Sequence, residues 1–109
     1  MSREASQRIA DVLEAIERCQ RYVVTLDSVD AEMAEDAIER NLQIIGETVK
    51  HLPAEITTAY PEIAWPQIRG FRNILVHQYF GVDVNVVREV VVTHLPPLAK
   101  VLRSYIASN

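Results

Sequence analysis

Arg72, Asn73, His77 and Tyr79 have the types and the spacing to act on a phosphodiester. They lie in the run Trp65-Pro66-Gln67-Ile68-Arg69-Gly70-Phe71-Arg72-Asn73-Ile74-Leu75-Val76-His77-Gln78-Tyr79-Phe80. Breaking an RNA strand with its own 2′-hydroxyl needs one group that moves protons and another that stabilises charge on the phosphate. Histidine is the side chain whose ordinary pKa makes both proton states accessible near neutral pH. Arginine stays charged and presents a planar fork of donors that matches phosphate oxygens. On a helix, Asn73 and His77 are four apart and share a face. Arg72 and His77 are five apart, about 140° around the axis. They meet on one phosphate only if the long Arg72 side chain swings round or a second subunit closes the site. Plainer readings exist for the same residues. Gly70 suits close packing between helices, Tyr79 and Phe80 suit an apolar helix end, and an Arg and a His five apart are common in unrelated helices.

The rest of the chain offers little competing chemistry. Cys19 is the single cysteine, so no internal disulfide and no cysteine-based metal site can form, which suits a reducing cytoplasm. His51 reads as a helix-terminal residue and His94 as a surface residue; with His77 they give no zinc spacing. Glu32, Glu35, Asp36 and Glu39 are spaced to lie on one helix face, which reads as a solvated surface with a lesser reading as a cation site. There is no phosphate-cradling glycine loop and no nucleophile elbow. No signal peptide or membrane span is expected, because the N-terminus runs directly into a charged amphipathic pattern. The net charge of −4 is split unevenly: residues 1–50 carry six basic and eleven acidic side chains, and residues 51–109 carry five basic and four acidic. An anion would therefore be met in the second half, locally and without an extended basic surface.

These residues need a scaffold, and apolar periodicity supplies one. At 109 residues the chain is expected to form one domain, residues 1–109. A first helix is predicted from about Ser2 to Thr25, with Ile9, Val12, Leu13, Ile16, Cys19 and Val23 as its apolar stripe. Asp27-Ser28 offers a turn. A second helix is predicted from Asp30, a plausible N-cap, to His51, with Ala34, Ile38, Leu42, Ile45 and Val49 facing inward. Pro53, Pro61 and Pro66 punctuate the stretch after it. A short turn at 62–65 and a third helix from Pro66 to Tyr79, ended by Gly81, are expected. Valines 84–92 would tolerate a strand. The Leu95, Leu98, Val101, Leu102, Tyr105 stripe instead predicts a fourth helix from Asp83 to Ala107, kinked or broken at Pro96-Pro97. The expected fold is an all-α, up-and-down four-helix bundle.

The run Gly70–Phe80, with Arg72-x-x-x-x-His77-x-Tyr79 inside it, resembles the central motif of the HepT-like family, a branch of the HEPN superfamily. The strings Arg40–Glu47, Val82-Asp83 and Leu95-Pro96 are similar to that family as well, and the resemblance spans roughly residues 5–105. Arg88, where a tryptophan is expected, and the run Val91–His94 depart from the family's pattern without touching the motif. The resemblance implies a metal-independent, cofactor-free endoribonuclease toxin with Arg72 and His77 catalytic and with Asn73 and Arg69 binding substrate. It implies a homodimer that cuts tRNA or mRNA in the cytoplasm. A minimal nucleotidyltransferase antitoxin, commonly called MntA, would silence it by transferring AMP to Tyr79. The acidic net charge leaves open an alternative, a non-catalytic nucleotide-binding or substrate-presenting partner of a nucleotidyltransferase.

Overall fold

Ser2 opens the first helix, α1 (Arg3–Tyr22), by accepting a hydrogen bond from the Ala5 amide at 3.1 Å through its Oγ. This satisfies one of the donors left over at a helix start. The computed structural model describes residues 2–71 and 84–108. The predicted stripe is the buried face: Ile9, Val12, Ile16 and Cys19 are fully enclosed. Burial pushes the Cys19 thiol up to about 12, so the side chain behaves as a small apolar group and not as a nucleophile. Helix α1 hands over to a 3₁₀ segment, Val23–Asp27, which absorbs the end of the predicted first helix.

Helix α2 (Ala31–Val49) runs back along α1. Cys19 lies against the Ile38 carbonyl, and the Arg18 guanidinium reaches Asn41 Oδ1, contacts expected of an antiparallel helical hairpin. Asp30 takes the N-cap position expected of it, but its side chain caps nothing. Ser28 organises the entry instead: its Oγ accepts from the Asp30 amide at 3.1 Å and donates to the Thr25 carbonyl at 2.7 Å. Asn41 is the buried polar residue of the described core. Its Nδ2 donates to the Ala37 carbonyl at 2.8 Å, which removes the cost of burying that donor.

The stretch between Pro53 and Pro66 holds more structure than its prolines suggest. A short helix, α3 (Ala54–Ala59), was not expected from the sequence. Six residues are too few to display a clear apolar period, and Ile56 alone is buried in it. Ile63 and Trp65 then turn into the core, and Trp65 Nε1 donates to the Tyr60 carbonyl at 2.9 Å. Helix α4 (Trp65–Arg69) follows with Pro66 in its first turn, as predicted. Gly70 ends α4 in a turn, inside the span predicted for the third helix, and residues 72–79 of that span lie outside the described residues.

The valine-rich segment is helical. Helix α5 (Val84–Glu89) passes through a π turn, Val90–His94, into helix α6 (Leu95–Ser108). The π turn stands immediately before Pro96 and Pro97. Neither proline has an N–H to offer the carbonyl four residues back, and the helix widens there: the Leu95 amide bonds to the Val90 carbonyl, five residues away. The predicted break thus takes the form of a one-turn change of helical register. Leu95, Leu98, Leu102 and Tyr105 face the core as their spacing requires. Tyr105 donates to Glu55 on α3 and meets the Tyr60 ring edge-on at 6.5 Å. Among the described residues there is no strand, so the fold is all-α. No described helix is long and apolar enough to cross a membrane.

Candidate functional site

Arg72, Asn73, His77 and Tyr79 lie outside the described residues. The structure defines the two elements between which their segment runs. On one side α4 ends at Arg69, Gly70 caps it with its amide on the Pro66 and Gln67 carbonyls, and Phe71 is buried. On the other side α5 begins at Val84. Arg69, the one candidate substrate-binding residue that is described, sits half-buried in the last turn of α4.

Helix α4 is seated on α2 at an unusually close approach, and a glycine makes it possible. A side-chain carbon at Gly46 would stand 3.0 Å from the Ile68 carbonyl oxygen and 3.4 Å from Phe71 Cβ. At Gly70, among the described residues, the same added carbon would meet only carbonyls of its own turn, at 3.4 and 3.5 Å. The close packing that the sequence suggested for Gly70 is therefore made by Gly46. The sequence held a signal for it. A glycine in a helix interior costs stability relative to alanine, so its presence asks for a steric reason.

A cavity of about 790 Å³ opens between α4 and the α5–π-turn segment. Its described walls are largely apolar, with Ile63, Ile68, Phe71, Val86 and Val90 among them. Glu62, Glu89 and His94 contribute ionisable groups, and all three are exposed. His94, predicted as a surface residue, is one, and it also borders this cavity. Two carboxylates make these walls unfavourable for a phosphate. A nucleic-acid backbone would have to be held by basic groups such as Arg69.

Arg88, the departure from the expected tryptophan, has a clear role. Its Nη2 and Nη1 contact the two carboxylate oxygens of Asp27 at 2.9 and 3.4 Å, pinning α5 to the 3₁₀ segment after α1. On α2, burial together with Glu35 and Asp36 raises the Glu39 carboxyl above its usual range. Among the described residues no group of His, Cys, Asp and Glu is arranged to hold a metal ion.

Residues 12–105 match the family described as Ribonuclease HepT-like. The chain belongs to that family. Its relatives agree. It is 37% identical over 90 residues to a Thermococcus cleftensis protein named "Probable ribonuclease HepT", covering 83% of this chain and 82% of that one. It is 34% identical over 101 residues to a Methanocaldococcus jannaschii protein named "Gamma-glutamylcyclotransferase and putative RNase". That alignment takes in 90% of this chain but 46% of the relative, so the chain spans about half the relative's length. A Caldanaerobacter subterraneus subsp. tengcongensis "Putative RNase" is 41% identical over 64 residues, 59% of this chain and 57% of that protein. No solved structure matches the chain. The HepT-like match contains the whole segment from Arg69 to Tyr79, so the motif read from the sequence lies inside the family's region.

Proposed function

We propose that this HepT-like chain is a metal-independent endoribonuclease, the toxin of a toxin–antitoxin pair in the cytoplasm. The observation that carries the reading is the family match over residues 12–105, enclosing Arg72-x-x-x-x-His77-x-Tyr79. In the reaction the 2′-hydroxyl oxygen attacks the adjacent phosphorus and the bond to the 5′-oxygen breaks. His77 serves the proton movement between the attacking hydroxyl and the departing oxygen. Arg72 stabilises the charge that grows on the phosphate, with Arg69 and Asn73 holding the strand. The five-residue spacing of Arg72 and His77 in the sequence, about 140° on a helix, supports a homodimer in which two copies shape one cleft. A strictly monomeric species with full cleavage activity in light scattering and RNA assays would contradict that.

Tyr79 is the regulatory residue of this reading. It stands two positions after His77, so AMP attached to its phenol oxygen places bulk and a phosphate beside the site, repelling RNA and engaging Arg72. A cognate nucleotidyltransferase would join the AMP phosphorus to that oxygen and release pyrophosphate from ATP. Incubation with that enzyme and ATP is expected to add AMP mass to the peptide containing Gln78–Phe80 and to stop cleavage of tRNA or mRNA. Tyr79→Phe keeps the ring and removes the acceptor, so it stays active beside the antitoxin. An unmodified Tyr79 in a fully neutralised pair would show that the antitoxin works by covering the site.

The chain's net charge of −4 favours a second reading. In it the chain is a non-catalytic nucleotide-binding or substrate-presenting partner of a nucleotidyltransferase. Incubating the purified chain with tRNA separates the two, since only the first reading predicts cut product.

A further inference from the structure

Helix α2 is nineteen residues long and carries Gly46 in its interior, flanked by the buried Leu42, Ile45 and Val49. Alanine would make a better helix at that position. What glycine provides is room: the atoms that a side-chain carbon would meet are the Ile68 carbonyl at 3.0 Å, Phe71 Cβ at 3.4 Å and the Arg69 carbonyl at 3.7 Å. All three belong to the last turn of α4 or to the residue just before Arg72. Two of them are backbone atoms, which cannot rotate away as the end of a flexible side chain could.

We infer that Gly46 is a positioning residue for the Arg72–His77 pair, its missing side chain setting how closely the chain entering the motif seats on α2. The inference rests on the ribonuclease reading. A methyl group at 46 obliges the Ile68 carbonyl to give way by a few tenths of an ångström. The α2 side cannot yield in its place, because Leu42, Ile45 and Val49 lock that face into the core. Phe71 is buried and is the last described residue before Arg72, so the contact at Gly46 sets the point from which the chain enters the motif. Misplacement by about an ångström is enough to cost on the order of 10²-fold in rate.

The test compares purified parent, Gly46→Ala and Gly46→Val on bulk tRNA, each well below its melting temperature. Val12→Ala, a cavity variant on α1, serves as the control for stability alone. Gly46→Ala is expected to lower kcat by roughly threefold to tenfold and Gly46→Val by about 10²-fold, with KM changed by less than about threefold. Val12→Ala is expected to lower the melting temperature and leave kcat of the folded protein unchanged. Should Gly46→Val not fold, the alanine variant decides. Cleavage by Gly46→Ala at the parent rate, or an equal loss of kcat in Val12→Ala, overturns the positioning role while leaving the ribonuclease reading in place. A parent chain that cuts no tRNA overturns the ribonuclease reading first, and the positioning role falls with it.

Discussion

Residues 2–50 lie almost entirely in two long helices, whereas the described part of residues 51–108 is divided among short helices, a π turn and one longer helix. The compositions differ in the same sense. All five prolines, and every residue proposed to touch RNA, fall in the second half, and the first half carries most of the acidic excess. The α1–α2 hairpin is built by repetition of one apolar spacing, and nothing in it needs to be anywhere except against the core. Among the described residues the second half gives up regularity before α4 and, in the π turn, just ahead of Pro96-Pro97. The contrast separates a scaffold from the segments it places, and Gly46 is where the scaffold's own spacing is altered to receive one of them.

The largest stability effect belongs to the scaffold. Ile16 is fully buried on α1, and Ile16→Ala removes a core side chain at a cost of about 2–5 kcal/mol, measurable by urea unfolding. If the hairpin is only a scaffold, RNA cleavage per folded molecule is unchanged at a temperature where the variant remains folded. A matching loss of kcat would blur the division between the halves.

Arg88 ties the halves together from a half-exposed position. Replacing it by alanine is expected to cost no more than about 1 kcal/mol, and less at high salt, because the Asp27 partner is well exposed and the pair is screened. A loss that is large and independent of salt would mean that the Arg88 stem packs as the expected tryptophan would have.

Glu39 gives the smallest effect, with the opposite sign. Burial and its neighbours Glu35 and Asp36 raise its carboxyl above the usual 4.5, so the folded chain binds this proton more tightly than the unfolded chain does. Stability from this group is therefore greatest in acid and declines as pH rises from 4.5 through the folded pKa. At neutral pH the ionised side chain is a cost. Glu39→Gln should stabilise the protein by about 0.2–0.5 kcal/mol at pH 7, the scale of a like-charge helix pair, and the gain should fade in acid. Thermal melts at the two pH values check both the sign and the trend.

The long helices were legible because many turns repeat the same apolar period. Ile9 through Cys19 and Ala34 through Val49 announce their inner faces without any tertiary information. Leu95 to Tyr105 likewise decided the fate of the valine-rich segment against its β-propensity, because one period extended over several turns outweighs a preference for strand at single residues. Helix α3 was not legible, since a single buried Ile56 in six residues leaves no period to read. Asp27-Ser28 was legible as a turn, and the bonds of Ser28 Oγ to the Thr25 carbonyl and the Asp30 amide fit it. That the Asp30 side chain caps nothing depends on the geometry of that turn and was not legible. The motif residues were singled out by type and spacing alone, and Arg72, Asn73, His77 and Tyr79 lie outside the described residues. Gly46 escaped notice because the atoms it makes room for come from a part of the chain more than twenty residues away.

RNA cleavage by the purified, unmodified chain tests the central claim most directly, with parent, His77→Ala and Arg72→Lys assayed on tRNA with and without EDTA. The parent is expected to cut equally in both conditions. His77→Ala is expected to be slower by on the order of 10²–10⁴, and Arg72→Lys to be impaired as well, because a point charge does not reproduce the guanidinium fork. Cleavage by His77→Ala at the parent rate, or loss of all activity in EDTA, would contradict the ribonuclease mechanism.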